Sequence, residues 1–467
     1  MHKEKSKKKI IVVLPRGEAI KNFVYSGITD ALRAEFDVEF FSIIPNSEIK
    51  QYLNDKCDSL YELNNKFTES HRSTELKHIL QLGHLNKLNS VTGNLKILKD
   101  DVSSQKSIKN RVIRIVRKRI ANFYDSQEKL IRLTNRFIKS NFKNPEVLRY
   151  EELLKKINPD LVFNTSHIHN SASLALMYAC KKLNIKTASF LFSWDNLTSQ
   201  GRILPDYDNY FTWNHKIKKD LLKYYPSINT KNVFVTGTPQ FDFHYDEKFV
   251  VSKEELYKEL GIPSNKKIVL YSTGMAYYTP KEHIHVIELD KTLKKIDKDL
   301  QLVVRIYAKD DNTEYYKLRE NTDICVPDHY WELNYLTPTI KDITLFNSLL
   351  NHCVLGINVA STVSLELALL NKPVINIAFN PKGENVYPND YEKIYDFDHY
   401  KPIVNSGAIS LAKSSKELED LIRLYSTDPE THQEERAKLI DNFFGDEIKE
   451  NRKEKFVNVF KEILSDV

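Results

Sequence analysis

Short apolar runs recur along the chain, each followed by a stretch whose apolar positions fall three and four residues apart. This alternation predicts βα units built around parallel sheets. The first run, residues 10–14, leads into an amphipathic stretch over 20–35 and a second run at 38–44. The turn Asn158-Pro159-Asp160 introduces a strand at 161–164 and a helix over 172–183; strands at 187–192, 210–213 and 232–236 complete the set. A second set opens with a helix over 253–260, stopped by Gly261-Ile262-Pro263. Strands follow at 268–272, 302–306, 324–326, 353–358 and 373–378. The predicted fold is α/β, with two Rossmann-like domains facing one another across a cleft. An N-terminal domain spans residues 1–243 and a C-terminal domain 244–467, with the last helices crossing back. No repeat appears at the short periods of solenoid proteins.

Residues 66–150 break this rhythm, with few strand signals and many basic side chains. Lys106, Lys109, Arg111, Arg114, Arg117, Lys118 and Arg119 occur without an acidic residue among them, while Val112, Ile113, Val116 and Ile120 recur at helical spacing. The pattern predicts a basic amphipathic helix inside a helical insertion. Such a helix either packs on its own domain as a solvated element or meets an anionic lipid surface or acceptor through residues 106–119.

Composition narrows the class. A chain of 467 residues with 41% hydrophobic content exceeds one ordinary domain and can fill sizeable cores. The net charge of +6 is modest. The basic run lacks interleaved aromatics, so no nucleic-acid partner is expected. Cys57, Cys180, Cys325 and Cys353 form no CxxC pair and no zinc spacing. Reduced thiols, with Cys325 and Cys353 buried, and a cytoplasmic setting are the simplest reading. The run at 10–14 is too short for a signal-peptide core, and no stretch reaches the ~18 apolar residues of a membrane span. Association with the inner face of the membrane is the remaining membrane expectation.

The most informative segment is "LGINVASTVSLELA", residues 355–368. A strand ends near Asn358, small polar residues turn the chain, and a helix begins at about Thr362. Hydroxyls and open backbone N–H groups at such a helix start suit a phosphate, and the helix dipole adds to them. Glu366 lies one turn on, on the face of Thr362, where a carboxylate can accept from ribose hydroxyls. The plainer alternative makes Ser361 an N-cap and Glu366 a surface residue.

The stretch "INVASTVSLELALLNKPVINIAF" resembles the donor-binding segment of GT-B glycosyltransferases and their relatives. Those relatives include the non-hydrolysing UDP-N-acetylglucosamine 2-epimerases and the CDP-glycerol glycerophosphotransferases. The resemblance implies Ser361 and Thr362 on the nucleotide phosphates and Glu366 on the ribose. "FVTGTPQFD" resembles the hinge after the first domain, and "KKIVLYSTG" the first strand and loop of the nucleotide domain. "LVVRIYAKDD" resembles a strand that usually ends in Arg-x-His-Pro; Arg305 is kept, but Tyr307-Ala308 replaces His-Pro. That departure argues against phosphotransfer. "SFLFSWDNLTSQGRILPDYDNYFTWN" resembles a segment of bacterial surface-polysaccharide proteins, and the resemblance covers residues 155–380 best.

The implied activity is sugar transfer from a nucleotide-sugar donor to a hydroxyl of a glycan or lipid-linked acceptor, inverting and without a metal. The leaving diphosphate would be stabilised by Ser361, Thr362, Arg305 and the loop Ser272-Thr273-Gly274, with the base gripped near Val326. The general base is sought at Asp195, Glu18 or His167, with His169 beside it, and Arg16, Trp194 and Asn196 are placed on the acceptor side. Trp194 as core and Asp195 as a helix cap is the alternative for that segment. Asp206-Tyr207-Asp208 and Asp396-Phe397-Asp398 match a metal-binding Asp-x-Asp pattern too short to be specific. No cofactor is expected, since the nucleotide-sugar is a substrate. The competing readings are a 2-epimerase, a polyol-phosphate transferase, or a non-catalytic polysaccharide-assembly factor.

Overall fold

The computed structural model describes residues 7–63, 67–168, 171–448 and 450–465. The chain divides into two compact units. One comprises Met1–Pro239, Glu332–Thr337 and Asp446–Val467; the other comprises Gln240–Trp331 and Pro338–Gly445.

The first unit is built on seven strands: β1 (Lys9–Leu14), β2 (Asp37–Ser42), β3 (Ser59–Glu62), β4 (Leu161–Asn164), β5 (Thr187–Phe190), β6 (Asn209–Thr212) and β7 (Val233–Val235). They lie in the order β3-β2-β1-β4-β5-β6-β7. Every pairing is parallel, with Ile10 opposite both Val38 and Leu161. Ile10, Ile11, Val12, Val13 and Leu14 are fully buried, as a strand covered on both faces requires. The helix Arg452–Ser465 belongs to this unit, and its Phe456 and Phe460 pack against Phe211 and Phe163 at ring-centroid distances of 5.5 and 5.2 Å. Strand order reverses between β1 and β4, so loops leaving their carboxyl ends flank the position where doubly wound sheets bind ligands.

The amphipathic stretch over 20–35 is not one helix. A π-helical turn, Ile20–Tyr25, is parted from α1 (Ile28–Glu35) by Gly27 at φ 79°. A left-handed residue cannot continue a helix, and glycine takes that conformation without a Cβ penalty.

Between β3 and β4 stand α2 (His71–Leu88), α3 (Val91–Ser104), α4 (Ile108–Phe123), α5 (Gln127–Ser140) and α6 (Pro145–Ile157). Ser70, Ser90, Ser126 and Asn144 cap four of them, each side chain accepting from a backbone N–H of the first turn. Further along, α7 (Leu174–Leu183) follows β4 and the short α8 (Asn196–Ser199) follows β5.

The second unit carries β8 (Lys267–Ser272), β9 (Leu300–Arg305), β10 (Leu355–Asn358), β11 (Val374–Ile377) and β12 (Ser410–Ala412), again all parallel. Their order is β12-β11-β10-β8-β9, a doubly wound pattern whose reversal falls between β8 and β10. Helices α9 (Ile340–His352) and α10 (Val363–Leu369) flank β10 in the chain.

Two local expectations are corrected, and two short strands are added. The strand placed at 324–326 is a single parallel bridge, Val303 to Cys325, too brief to extend the sheet. Cys325 is half-buried rather than buried, whereas Cys353 is buried; all four thiols are free. β3 and β12, of four and three residues, were too short for periodicity to reveal. Among the described residues no helix is long and apolar enough to cross a membrane.

Candidate functional site

In the second unit the sheet register sets the site. Ser272 pairs with Arg305 on one side and Asn358 on the other, and Asn358 pairs with Asn376. Four polar side chains therefore stand in a row along the carboxyl edge, astride the strand-order reversal. Asn358 is held by a buried network: its Oδ1 accepts from Ser364 Oγ at 3.0 Å and from Asn376 Nδ2 at 2.8 Å. The Tyr400 hydroxyl lies 2.8 Å from Asn376 Oδ1 and 2.9 Å from Ser364 Oγ. Asn358 Nδ2 and Ser272 Oγ are buried and lack a hydrogen-bond partner among the described residues. A buried polar atom left without a partner costs about 1–3 kcal/mol, so these two mark where a ligand's polar groups would be gained.

Past Asn358 the backbone turns through Ala360 at φ 32°, a conformation alanine rarely adopts. Strain of this kind gathers at ligand-binding turns. Ser361 Oγ accepts from Val363 N at 3.2 Å, so this hydroxyl serves the start of α10 itself. Thr362 occupies the N-cap position. Glu366 is no surface residue; it is buried at 3% exposure. Its Oε1 accepts from Gln240 Nε2 at 2.9 Å and lies 3.8 Å from His244 Nε2. Neither ring nitrogen of His244, itself buried, has a hydrogen-bond partner among the described residues.

The loop after β8 is pinned by a residue that the sequence pattern did not single out. Glu282 accepts from Gly274 N at 2.8 Å, Tyr271 OH at 2.9 Å and Thr279 Oγ1 at 3.0 Å. Burial pushes its carboxyl up to about 7, only partly offset by these three donors. Thr273 Oγ1 accepts from Tyr307 N at 2.7 Å, tying the loop to the end of β9. The expected phosphate loop is thus held from behind by buried hydrogen bonds.

Arg305 is engaged within its own unit. Its Nη2 meets Asp342 Oδ2 at 2.6 Å, and the same carboxylate accepts from Tyr330 N and Trp331 Nε1. Val326 is buried and lines a cavity of about 340 Å³ with Gly261 and Gln301. Gln301 stands near the start of β9 and Arg305 at its end. Four residues of extended chain, about 13 Å, separate them.

In the first unit, the segments after β1, β4 and β5 carry the expected acceptor-side residues and base candidates. Arg16 and Glu18 form a two-pronged ion pair at 2.6 and 2.8 Å, and the guanidinium lies 4.2 Å above the Phe192 ring. His167 is buried; its Nδ1 lies between two backbone groups, 3.2 Å from Phe192 N and 3.3 Å from Phe190 O. His169 lies outside the described residues. Trp194 and Asn196 are buried. Asp195 sits at the N-cap of α8, and its carboxylate accepts from Ser193 Oγ and from Ser199 Oγ at 2.7 Å. The Asp206-x-Asp208 pair is turned to Lys181 at 3.7 and 3.5 Å, and Asp208 also accepts from Thr187 N and Oγ1.

Gln240, His244, Glu282 and Asp342 escaped the sequence reading. Gln240, His244 and Asp342 lie far along the chain from the residues they contact, whereas Glu282 stands within 11 positions of its three donors. Only Gln240 and His244 had a signal within reach, in and just past the hinge-like "FVTGTPQFD".

No family model matches the chain. Over 237 residues it is 25% identical to the teichoic acid poly(ribitol-phosphate) polymerase of Bacillus spizizenii, a match covering 50% of this chain and 34% of that protein. The chain thus spans about a third of the length of the curated relative it matches. Among solved structures, it is similar to the UDP-GlcNAc 2-epimerase of Neisseria meningitidis bound to UDP-GlcNAc, at TM-score 0.54 and 13% identity, covering 95% of this chain and 97% of that one. It is likewise similar to a glycosyltransferase of Rickettsia africae, at TM-score 0.51 and 13% identity, covering 99% and 100%. These likenesses define the fold as GT-B-like, two Rossmann-like units as in sugar-nucleotide epimerases and glycosyltransferases.

Proposed function

We propose that the chain is a glycosyltransferase of bacterial surface-polysaccharide biosynthesis, using a nucleotide-sugar donor and a hydroxyl on a glycan or lipid-linked acceptor. The observation that carries this reading is the pair of unpartnered buried atoms, Ser272 Oγ and Asn358 Nδ2, astride the strand-order reversal of the second unit. Ligand oxygens arriving there gain donors already desolvated and fixed in place. Glu366, oriented by Gln240, holds the ribose hydroxyls. Asp195 is the general base, its carboxylate aimed by the two serine hydroxyls. It takes the acceptor hydroxyl proton as that oxygen attacks the anomeric carbon, and the bond to the nucleotide diphosphate breaks with inversion.

A membrane-borne acceptor is favoured by α4. Arg117 pairs with Glu75, and Arg114 and Lys118 pair with Asp101, so part of its basic face is turned to α2 and α3. Its apolar stripe is not covered: Ile108 is 85% and Phe123 64% exposed, and Val112, Ile115, Val116 and Ile120 are exposed between them. Apolar residues rimmed by Lys106, Lys109, Arg111 and Arg119 fit the interface of an anionic lipid layer at the cytoplasmic face of a membrane.

The deciding experiment is thermal protection by UDP-sugars followed by transfer to a lipid-linked acceptor. Protection with transfer, and loss of transfer alone in Asp195→Asn, supports the reading. Unchanged turnover in that variant removes Asp195 from the role. A second reading, polyol-phosphate transfer, is favoured by the Bacillus spizizenii relative and opposed by Tyr307-Ala308. Incorporation of label from a CDP-polyol rather than a UDP-sugar would decide for it. Conversion of UDP-GlcNAc without any acceptor would decide for an epimerase.

A further inference from the structure

The first unit holds a cavity of about 620 Å³ whose lining includes His167, from the loop after β4. One face of α2 supplies Lys77, Gln81 and Leu85, at helical spacing, and Lys96 and Arg114 come from α3 and α4. Arg202, from the loop after α8, closes it, and Asp100 is the one carboxylate in the lining.

Two of the four cations are already matched: Lys77 faces Glu69 at 3.3 Å, and Arg114 donates to Asp101 at 2.8 Å. The other two are not. Arg202 is 7% exposed, donates through Nε to Thr134 at 2.8 Å, and leaves Nη1 buried without a partner among the described residues. Its cation also lies 5.2 Å from the Tyr225 ring, which supplies no hydrogen-bond acceptor. Lys96 has no hydrogen bond or ion pair with any described residue, and burial pulls its ammonium below the usual lysine range despite Asp100 nearby. Gln81 donates through Nε2 to Arg202 O at 3.1 Å, and its Oε1 is buried and unpaired. Arg202 is buried with no ion-pair partner among the described residues, and half-buried Lys96 has only the Asp100 carboxylate near it, so cations exceed carboxylates in the lining and the cavity suits an anion.

We propose that this cavity binds a phosphate ester bearing a hydroxyl group, as the anchoring part of the acceptor. The phosphoryl oxygens take the free donors of Lys96 and Arg202, and the hydroxyl donates to Gln81 Oε1. Leu82, Leu85 and Leu174 in the lining accommodate the organic part. As an acceptor subsite it rests on the transferase reading; as an anion site it does not. The ester is either a lipid headgroup or a free or glycan-borne phosphate, and the test separates these.

Titration calorimetry on the full chain with glycerol 3-phosphate, in low chloride, should show saturable binding. Lys96→Gln should weaken it about tenfold, as loss of one charge-assisted hydrogen bond predicts. Arg202→Lys, checked for an unchanged melting temperature, should weaken it similarly. Equal affinity in wild type and Lys96→Gln, or binding no stronger than for chloride, would overturn the proposal and leave an adventitious ion only. Phosphatidylglycerol vesicles that displace glycerol 3-phosphate from the wild type would identify the lipid source; failure to displace it would identify the soluble or glycan-borne ester. UDP-sugar protection is measured in parallel: its absence with glycerol phosphate binding intact rejects the transferase reading and spares the anion site.

Discussion

Arg305 and Asp342 form a buried ion pair, Nη2 to Oδ2 at 2.6 Å, with side chains 10% and 5% exposed. Asp342 also holds Tyr330 N and Trp331 Nε1, so one carboxylate fixes three groups near the end of β9. Arg305 is thereby a rigid member of the carboxyl edge rather than a mobile cation. Removing one partner leaves the other charged and buried. Asp342→Ala should lower stability by about 3–5 kcal/mol in chemical denaturation. The double variant Arg305→Met/Asp342→Leu should recover much of that loss. A single-variant loss below about 1 kcal/mol would show the pair to be solvated.

Glu282 should make the second unit pH-sensitive. Its carboxyl is raised from 4.5 to about 7 in the folded chain, chiefly by burial. Between those values the folded state keeps a proton that the unfolded chain has lost. Stability from this group is therefore fully present below about pH 4.5 and is lost as pH rises through 7, by about 3 kcal/mol in all. Melting curves across this window should show a shallower decline in Glu282→Gln, and an identical slope would refute the assignment.

Gly356 in β10 faces Leu367 of α10. A Cβ there would stand 2.1 Å from Leu367 Cδ1, and Leu367 is itself buried. Gly356→Ala should push α10 off the sheet or force Leu367 out of its rotamer, at a cost of about 1–3 kcal/mol. The companion Leu367→Ala should relieve the clash, which a double-variant cycle measures directly.

If Glu366 holds the ribose as proposed, Glu366→Gln should reduce UDP-sugar affinity about tenfold or more, through loss of charge-assisted bonds. The fold should persist, since Gln240 can still bond to the new amide oxygen. Retained thermal protection by UDP-sugars in this variant would take Glu366 out of the binding site.

The outer face of α4 gives a test independent of chemistry. Ile108→Glu and Val112→Glu alter side chains that are 85% and 54% exposed. Neither should change the melting temperature, and together they should abolish co-sedimentation with anionic vesicles. Full retention on the vesicles would remove α4 as the contact.

Much of the fold was legible along the chain because strands buried on both faces must be continuous apolar runs. The strand 161–164 and the helix 253–260 were placed to the residue, for this reason and because capping and turn residues bound them. The run at 324–326 looked the same but became one bridge, since apolar character shows burial and not hydrogen-bond partners. The helical character of the insertion was equally plain, but which way its stripe faces was not. Periodicity shows that α4 has an apolar side; only packing shows that α2 and α3 meet its arginines and leave the apolar side exposed.

For the candidate site, sequence alone determined the turn after β10, with Ser361, Thr362 and Glu366 in fixed local spacing around a helix start. Their partners were decided by tertiary structure. Gln240 reaches Glu366 across 126 positions and Asp342 reaches Arg305 across 37. Local spacing carries information over one helical turn or two strand residues. Charge pairing and desolvation depend on distances that only the folded sheet and its helices set.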